Sequence, residues 1–390
     1  MQLPFAQEEY DLRLKRVRER MSAAGLEALI VTDIPNQHYL TGYDGWSFYT
    51  PQIVALTLEG PPTWIGRAMD AAGGKLTAWM PKEHVVGYPE STVQRLDIHP
   101  MDWTADYLKG KGYDGKRIGC EVDSYYFSPR AMDRLKAGLP NARFVDADLL
   151  VNWVRTVKSP QELAYMREAG KLVGKVMRTA MDAIRPGVRQ CDAVAKIYAA
   201  QVGGHERYAG DITSLCPLIL SGEGSSAPHM FWTEERFARD QTTSLEMSAA
   251  IRHYHCSLAR TMHVGKSPQR LLDTAKAVIE GMQAVLDTVR EGAIAEDVEA
   301  AWRAVINRHG LKKESRIGYA IGLGYPPDWG ERTVSLRPGD KTALQADMTL
   351  HVILGMWMDG WGIEVSETMR VLPKGVELFT DFPRDVLVIE

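Results

Sequence analysis

A carboxylate set in an uncharged stretch is the first chemistry this sequence offers. Glu246 interrupts the otherwise uncharged run Leu245-Glu246-Met247-Ser248-Ala249, and Glu364 stands likewise in Trp361-Gly362-Ile363-Glu364-Val365. An ionised carboxylate in an apolar environment is costly unless a cation or several donors meet it. For Glu364 that cation is either a substrate or a protein group such as Arg260; for Glu246 the ordinary alternative is an ion pair on a strand. His229, in Ser225-Ser226-Ala227-Pro228-His229-Met230-Phe231-Trp232, offers a ring able to relay a proton near neutral pH, or a structural hydrogen bond. His255 and His351 fall in β-rich runs, where period-two geometry sends both into one cleft or either one outward. Tyr254, Tyr319, Tyr325 and Trp329 are the aromatic groups that could wall a cation pocket, or pack as core and turn residues beside Gly and Pro. Asp328 and Glu331 follow in what reads as a turn, which they either cap or open toward substrate.

The elements that must position these groups begin with an amphipathic helix from Glu8 to about Ala24, ended by Gly25. Apolar runs at Leu26 to Thr32, Ile53 to Leu58 and Arg117 to Val122 read as buried strands separated by helical stretches, an α/β arrangement. No glycine-rich phosphate loop follows any of them. Near Val157-Lys158-Ser159-Pro160-Gln161-Glu162 a boundary is expected, because Ser159, Pro160 and Glu162 suit the cap, first and third positions of a helix. This gives domains over 1–157 and 158–390. In the second, helices are expected to about Ile184, from Cys191 to Gln201, from Ser267-Pro268 onward and from Glu296 to Asn307. Strands are expected around Thr243 to Met247, His255 to Val264, Thr349 to Leu354 and Ile363 to Val371, making this domain α+β.

A chain of 390 residues is long enough for two cores, and 45% hydrophobic with 25% charged residues suits a globular protein. With 46 basic against 50 acidic residues there is no electrostatic footprint for nucleic acid or an anionic membrane. The segment Met1 to Tyr10 lacks the apolar core of a secretory signal, and no apolar run reaches membrane-spanning length, so a cytoplasmic location is expected. Cys120, Cys191, Cys216 and Cys256 show no zinc or redox spacing and read as free thiols.

Four segments of the second domain carry a resemblance. They are the His229 segment; Leu245-Glu246-Met247 with Tyr254-His255-Cys256-Ser257 and Arg260-Thr261; Gly318-Tyr319-Ala320-Ile321-Gly322 through Glu331; and Trp361-Gly362-Ile363-Glu364 through Thr368. In order and spacing they resemble the creatinase/aminopeptidase P, or pita-bread, family, which implies an α/β N-terminal domain before an α+β pita-bread catalytic domain. In metal-dependent members five ligands hold two ions. Their positions fall here on Glu246, Ser257, Tyr319, about Ile353 and Ser366, so one strong ligand of five remains and no metal or other cofactor is expected.

The finer resemblance is to the ectoine-hydrolase branch, through the segments above and Leu40-Thr41-Gly42-Tyr43-Asp44-Gly45-Trp46-Ser47-Phe48-Tyr49. It departs from that branch at Ser257 and near Leu354, where proline is typical. The resemblance implies metal-independent opening of a cyclic amidine, ectoine or its hydroxylated form, to an N-acetylated diaminobutyrate, in sequence with a deacetylase. Glu246 is then the group that pairs with the amidinium or attacks its carbon, and His229 the proton relay. Tyr254, His255, Tyr319, Tyr325, Trp329, His351 and Glu364 are the binding candidates. A homodimer is implied too, in which Trp46 and Tyr49 line the neighbour's pocket or else form a corner of their own domain. Alternatives are an amidinohydrolase for creatine or a similar guanidino compound, a metal-dependent X-Pro peptidase, and a binding module without turnover.

Overall fold

The computed structural model describes residues 3–147 and 149–389. Met1 and Gln2, part of the N-terminal segment discussed above, lie outside the described residues. The chain forms two compact units, Met1–Arg155 and Thr156–Glu390.

In the first unit, strands β1 (Ala28–Val31), β2 (Ile53–Thr57), β3 (Thr63–Arg67), β4 (Val85–Tyr88), β5 (Arg117–Cys120) and β6 (Arg143–Asp146) make one mixed sheet in the order β4-β3-β2-β1-β5-β6. Pairing is antiparallel for β1 with β2 and for β2 with β3, and parallel elsewhere. Helices α1 (Gln7–Ala23), α2 (Ile34–Thr41), α3 (Ala71–Thr77), α4 (Pro100–Gly110), α5 (Pro129–Gly138) and α6 (Leu150–Arg155) complete it. The sequence reading found β1, β2 and β5, which are mostly apolar and buried, with only Thr57 and Arg117 half-buried. It passed over β6, whose Arg143 and Asp146 sit at an exposed sheet edge and dilute the apolar signal.

The second unit opens with α7 (Pro160–Ala183), started by the capping box that Ser159 and Glu162 form: Glu162 N donates to Ser159 Oγ at 3.3 Å and Ser159 N to Glu162 Oε2 at 2.7 Å. Such a cap stabilises a helix by about 1 kcal/mol. Its buried stripe, Leu163, Met166, Leu172, Val173, Val176 and Ala180, packs on the hairpin of β8 (Gln241–Ile251) and β9 (Tyr254–Val264), preceded by α8 (Gln190–Gly203) and β7 (Leu218–Ser221). Helices α9 (Gln269–Thr288) and α10 (Ala295–Arg308) pack on each other. The remaining strands are β10 (Gly318–Tyr325), β11 (Asp328–Ser335), β12 (Thr349–Met358), β13 (Trp361–Val371), β14 (Val376–Leu378) and β15 (Leu387–Ile389). The sheet runs β14-β13-β12-β10-β9-β8-β7, with β11 on β10 and β15 on β9.

One expectation is corrected. The segment Gly318 to Glu331 is a hairpin, not a turn: β10 and β11 pair antiparallel with two register shifts, and only 326–327 separate them. Its glycines suppress the β signal, and the irregular register is what they serve. Gly324, for instance, has no room for a side chain, since a Cβ would lie 2.8 Å from Ser214 Oγ and 2.9 Å from Trp329 Cα.

Candidate active site

Two hairpins of the second unit present one polar face. On β8 and β9, Glu246 pairs with Ala259 and Ser248 with Ser257; on β12 and β13, Gly355 pairs with Glu364, Ile353 with Ser366 and His351 with Thr368. Directly opposed residues of an antiparallel pair share a face. Hydroxyl groups join β13 to β9. Ala259 N donates to Ser366 Oγ at 2.7 Å, Ser257 N donates to Thr368 Oγ1 at 3.1 Å, and Thr368 Oγ1 donates back to Ser257 O at 2.8 Å. Glu364 N donates to Thr261 Oγ1, which donates to Glu364 O. These bonds fix Glu364 relative to Glu246 through backbone, so the two carboxyls need no bond to one another to be positioned.

Glu246 and Glu364 are both almost wholly buried, and no ion pair holds either among the described residues. Burial, and then the carboxyl of Glu364, push the proton affinity of Glu246 well above the carboxylate range. Burial brings Glu364 up to about 7, against the pull of the Lys313 ammonium. Glu364 Oε2 has no hydrogen-bond partner. Lys313 itself is buried; its Nζ donates to Gly355 O at 2.7 Å, lies 4.1 Å from the Trp357 ring centroid and is lowered to about 8 by burial. Arg260, the protein cation considered for Glu364, is committed elsewhere: its guanidinium meets Glu367 at 2.8 Å and the carbonyl of Ser366 at 2.6 Å.

An aromatic group stands beside the carboxyls. Trp329 Nε1 donates to the Tyr319 hydroxyl at 2.9 Å, and that hydroxyl lies 3.3 Å from His351 Nδ1. The rings of Tyr319 and Trp329 both meet the His351 ring edge-on, at 5.6 and 6.0 Å. Burial, and then Arg316, lower His351 to about 3, so its imidazole is neutral. With Nδ1 accepting from Tyr319, the ring proton is assigned to Nε2, which is buried and has no partner. Burial and the nearby Glu246 raise the Tyr319 hydroxyl, which stays protonated. An acceptor, Glu364 Oε2, and a donor, His351 Nε2, are thus left open inside a buried polar cluster, where each unmade bond costs about 1–3 kcal/mol.

The structure therefore brings together Glu246, Glu364, Tyr319, Trp329 and His351. The other candidates are placed differently. Tyr254 lies five residues from Ala259 and so faces the opposite side of β9, where its hydroxyl donates to Glu162 Oε1 at 2.7 Å and its ring stacks on Tyr165. His255 shares the Glu246 face, but its Nε2 accepts from Ser214 N at 2.9 Å, its Nδ1 donates to His253 O at 2.8 Å, and burial lowers it to about 3. Both ring nitrogens are thus engaged by the protein. Tyr325 is buried with its ring stacked on His253 at 4.3 Å. Of the turn candidates, Asp328 Oδ1 does accept from Gly330 N, whereas Glu331 is fully buried in an ion pair with Lys158 at 2.7 Å. Trp46 and Tyr49, in the first unit, are exposed; Trp46 packs on Phe48, and Tyr49 accepts from Arg67 Nη1 at 3.1 Å.

His229 is exposed on a loop and held at φ +65°, a left-handed backbone that costs a non-glycine residue about 1 kcal/mol. That loop leaves the short 3-10 helix Gly222–Ser226, whose Ser225 lies against β13: Gly362 N donates to Ser225 Oγ, and a Cβ on Gly362 would stand 2.0 Å from Ser225 O. The loop is thus anchored two residues from Glu364. Sequence reading missed Lys313 and Arg316, which lie in Lys312-Lys313-Glu314-Ser315-Arg316, a charge run with the appearance of a solvated loop. Nothing in that pattern marks one lysine as buried.

The five positions where the resemblance expects metal ligands hold one carboxylate, a phenol, a hydrocarbon and two serine hydroxyls. Ser366 Oγ already accepts from Ala259 N, and Glu246, Glu364 and His351 do not bring a ligand atom each within 4.8 Å of one another. This donor set does not fit a dinuclear metal centre.

Comparison with known proteins agrees with this layout. Residues 164–373 match the model of metallopeptidase family M24, and residues 13–157 that of the creatinase/prolidase N-terminal domain. The chain is 40% identical to the ectoine hydrolase of Halomonas elongata, over 99% of this chain and 98% of that one. It is also 40% identical to an uncharacterized hydrolase/peptidase of Sinorhizobium fredii, over 99% of each. Among solved structures, a recombinant prolidase from Thermococcus sibiricus shares the fold with a TM-score of 0.86 at 18% identity, covering 98% of this chain and 100% of that one.

Proposed function

Since the chain belongs to metallopeptidase family M24, with a creatinase/prolidase N-terminal domain before the catalytic one, we propose that this hydrolase opens the cyclic amidine ectoine, and its hydroxylated form, without a metal ion. The observation that carries the reading is the buried pair Glu246 and Glu364, two carboxyls that no ion pair holds among the described residues, with an acceptor oxygen left open. An amidinium brings its own positive charge and two N–H donors, and two parallel charge-assisted bonds both bind and orient it. The full-length relationship to an ectoine hydrolase favours this amidine over a guanidino compound. The single carboxylate among the expected ligand positions favours it over a metal-dependent X-Pro peptidase.

The arriving cation favours the ionised form of both carboxyls and displaces the proton they hold, which His229 at the loop surface passes to solvent. Glu364 Oε2 holds an amidinium N–H. Glu246 takes a proton from water as the hydroxide bonds to the amidine carbon, and returns it to one ring nitrogen as that C–N bond breaks. As the carbonyl forms, the hydroxyl proton passes through the Glu246 carboxylate to the released amine, so the products are one amide and one ammonium on the same chain and the sum is substrate plus one water. The neutral His351 Nε2–H offers a donor for the developing oxygen, with Tyr319 and Trp329 fixing its ring. In a homodimer, the exposed Trp46 and Tyr49 are available to close the neighbouring subunit's pocket.

Proton NMR of ectoine incubated with the purified protein tests the reading. Ring opening to an N-acetylated diaminobutyrate is expected, and unchanged ectoine at high enzyme concentration would refute it.

A further inference from the structure

The carboxyl pair accounts for the cationic half of a zwitterion; the anionic half needs a partner of its own. Arg316 lies just before β10, with its guanidinium carbon 4.4 Å from the centroid of the Tyr319 ring. Its side chain is exposed and makes no hydrogen bond or ion pair among the described residues. Its placement is nonetheless fixed. Ile317, the next residue, donates from N to Leu336 O at 3.0 Å and accepts at O from Ile353 N at 2.8 Å. Three residues earlier, Lys313 is tied to Gly355 O through Nζ and receives Arg303 Nη1 at its carbonyl at 3.0 Å. The segment between is held at both ends. Below the guanidinium, the Tyr319 ring is oriented by Trp329 and His351 and lies within electrostatic reach of Glu246.

Resting on the function proposed above, we infer that Arg316 is the carboxylate clamp of the site, so that the substrate class is a small zwitterion bearing a carboxylate beside its cationic amidine. The planar guanidinium suits two parallel bonds to a carboxylate, and stacking on Tyr319 presents its edge donors while covering its face. The buried carboxyls, in turn, repel that same carboxylate, so the two ends of the substrate are sorted by charge: cation toward Glu246 and Glu364, anion toward Arg316. Lys313 is not the clamp, because it is buried, faces a carbonyl and lies beside Glu364. Arg316 is a binding and specificity residue and takes no part in bond breaking.

The test compares ectoine with the same ring lacking its carboxylate, for the wild type, Arg316→Met and Arg316→Lys. The ratio of kcat/KM for ectoine over that for the decarboxylated ring is expected to fall about tenfold or more in Arg316→Met, through KM, with part of the loss restored in Arg316→Lys. A ratio unchanged within about twofold overturns the clamp while leaving the hydrolase reading intact, because a purely structural role moves both substrates together. If the wild type fails to open ectoine, calorimetric binding of both rings to wild type and Arg316→Met reads the clamp independently. Loss of the preference for the carboxylated ring in the variant supports it, and absence of that preference in the wild type overturns it.

Discussion

Glu246 on β8 and Glu364 on β13 stand within electrostatic reach of each other on the shared face of two hairpins, and the charge of Glu364 disfavours ionisation of Glu246. No ion pair relieves either among the described residues. A protein that buries two such groups gives up stability that a cationic ligand returns.

Glu246→Gln should lower kcat by about 10²–10⁴, the range of a lost acid or base, whereas Glu364→Gln, which removes a charge-assisted contact to the substrate, should lower kcat/KM by about tenfold or more. If the two act as one device, the double variant is only slightly worse than the poorer single one. Rates that multiply across the two variants would show independent roles.

Activity should follow the titration of the carboxyl pair, since both groups act ionised. Glu246 is raised well above the carboxylate range and Glu364 to about 7, so kcat/KM rises with pH through that region. Lys313 holds this value down; Lys313→Met therefore moves the limb to higher pH. A limb that stays in place in the variant would detach Lys313 from the site.

The shift of Glu246 fixes a stability dependence. Glu246 has a raised proton affinity in the folded state, so its contribution is fully present below the ordinary carboxylate range and is lost as pH rises through the folded value. Glu246→Gln should therefore stabilise the protein at pH 8, and by less at pH 5. Denaturant unfolding at the two values measures this, and a variant less stable than wild type at pH 8 would contradict it.

Gly362→Ala should cost about 1–3 kcal/mol and loosen the His229 loop, because the new Cβ meets Ser225 O, a backbone atom that cannot turn aside. Thermal unfolding and proteolysis of the loop provide the measurement.

Much of the architecture was legible because its signals are local. The Ser159–Glu162 capping box announced α7, and short, mostly apolar runs announced β1, β2 and β5. The hairpin of β10 and β11 was not, since glycines chosen for close approach at Gly324 look like turn residues. Within the site, Glu246 and Glu364 stood out as single charges in the otherwise uncharged runs Leu245 to Ala249 and Trp361 to Val365. Tyr254 and His255 required the register: one residue of offset sends Tyr254 to α7, and Ser214, 41 residues away in sequence, occupies His255. Lys313 and Arg316 were hidden, because whether a lysine in a charge run points inward depends on what the fold places beneath it, here Gly355 O and the Trp357 ring.

The central claim, that a carboxyl pair has taken the place of a metal centre for a substrate carrying its own charge, is tested most directly by following ectoine opening with protein that has been treated with a strong chelator and assayed for bound metal. Undiminished turnover with metal well below one ion per subunit is the expected result. Turnover that disappears on chelation and returns with a divalent transition ion would contradict it.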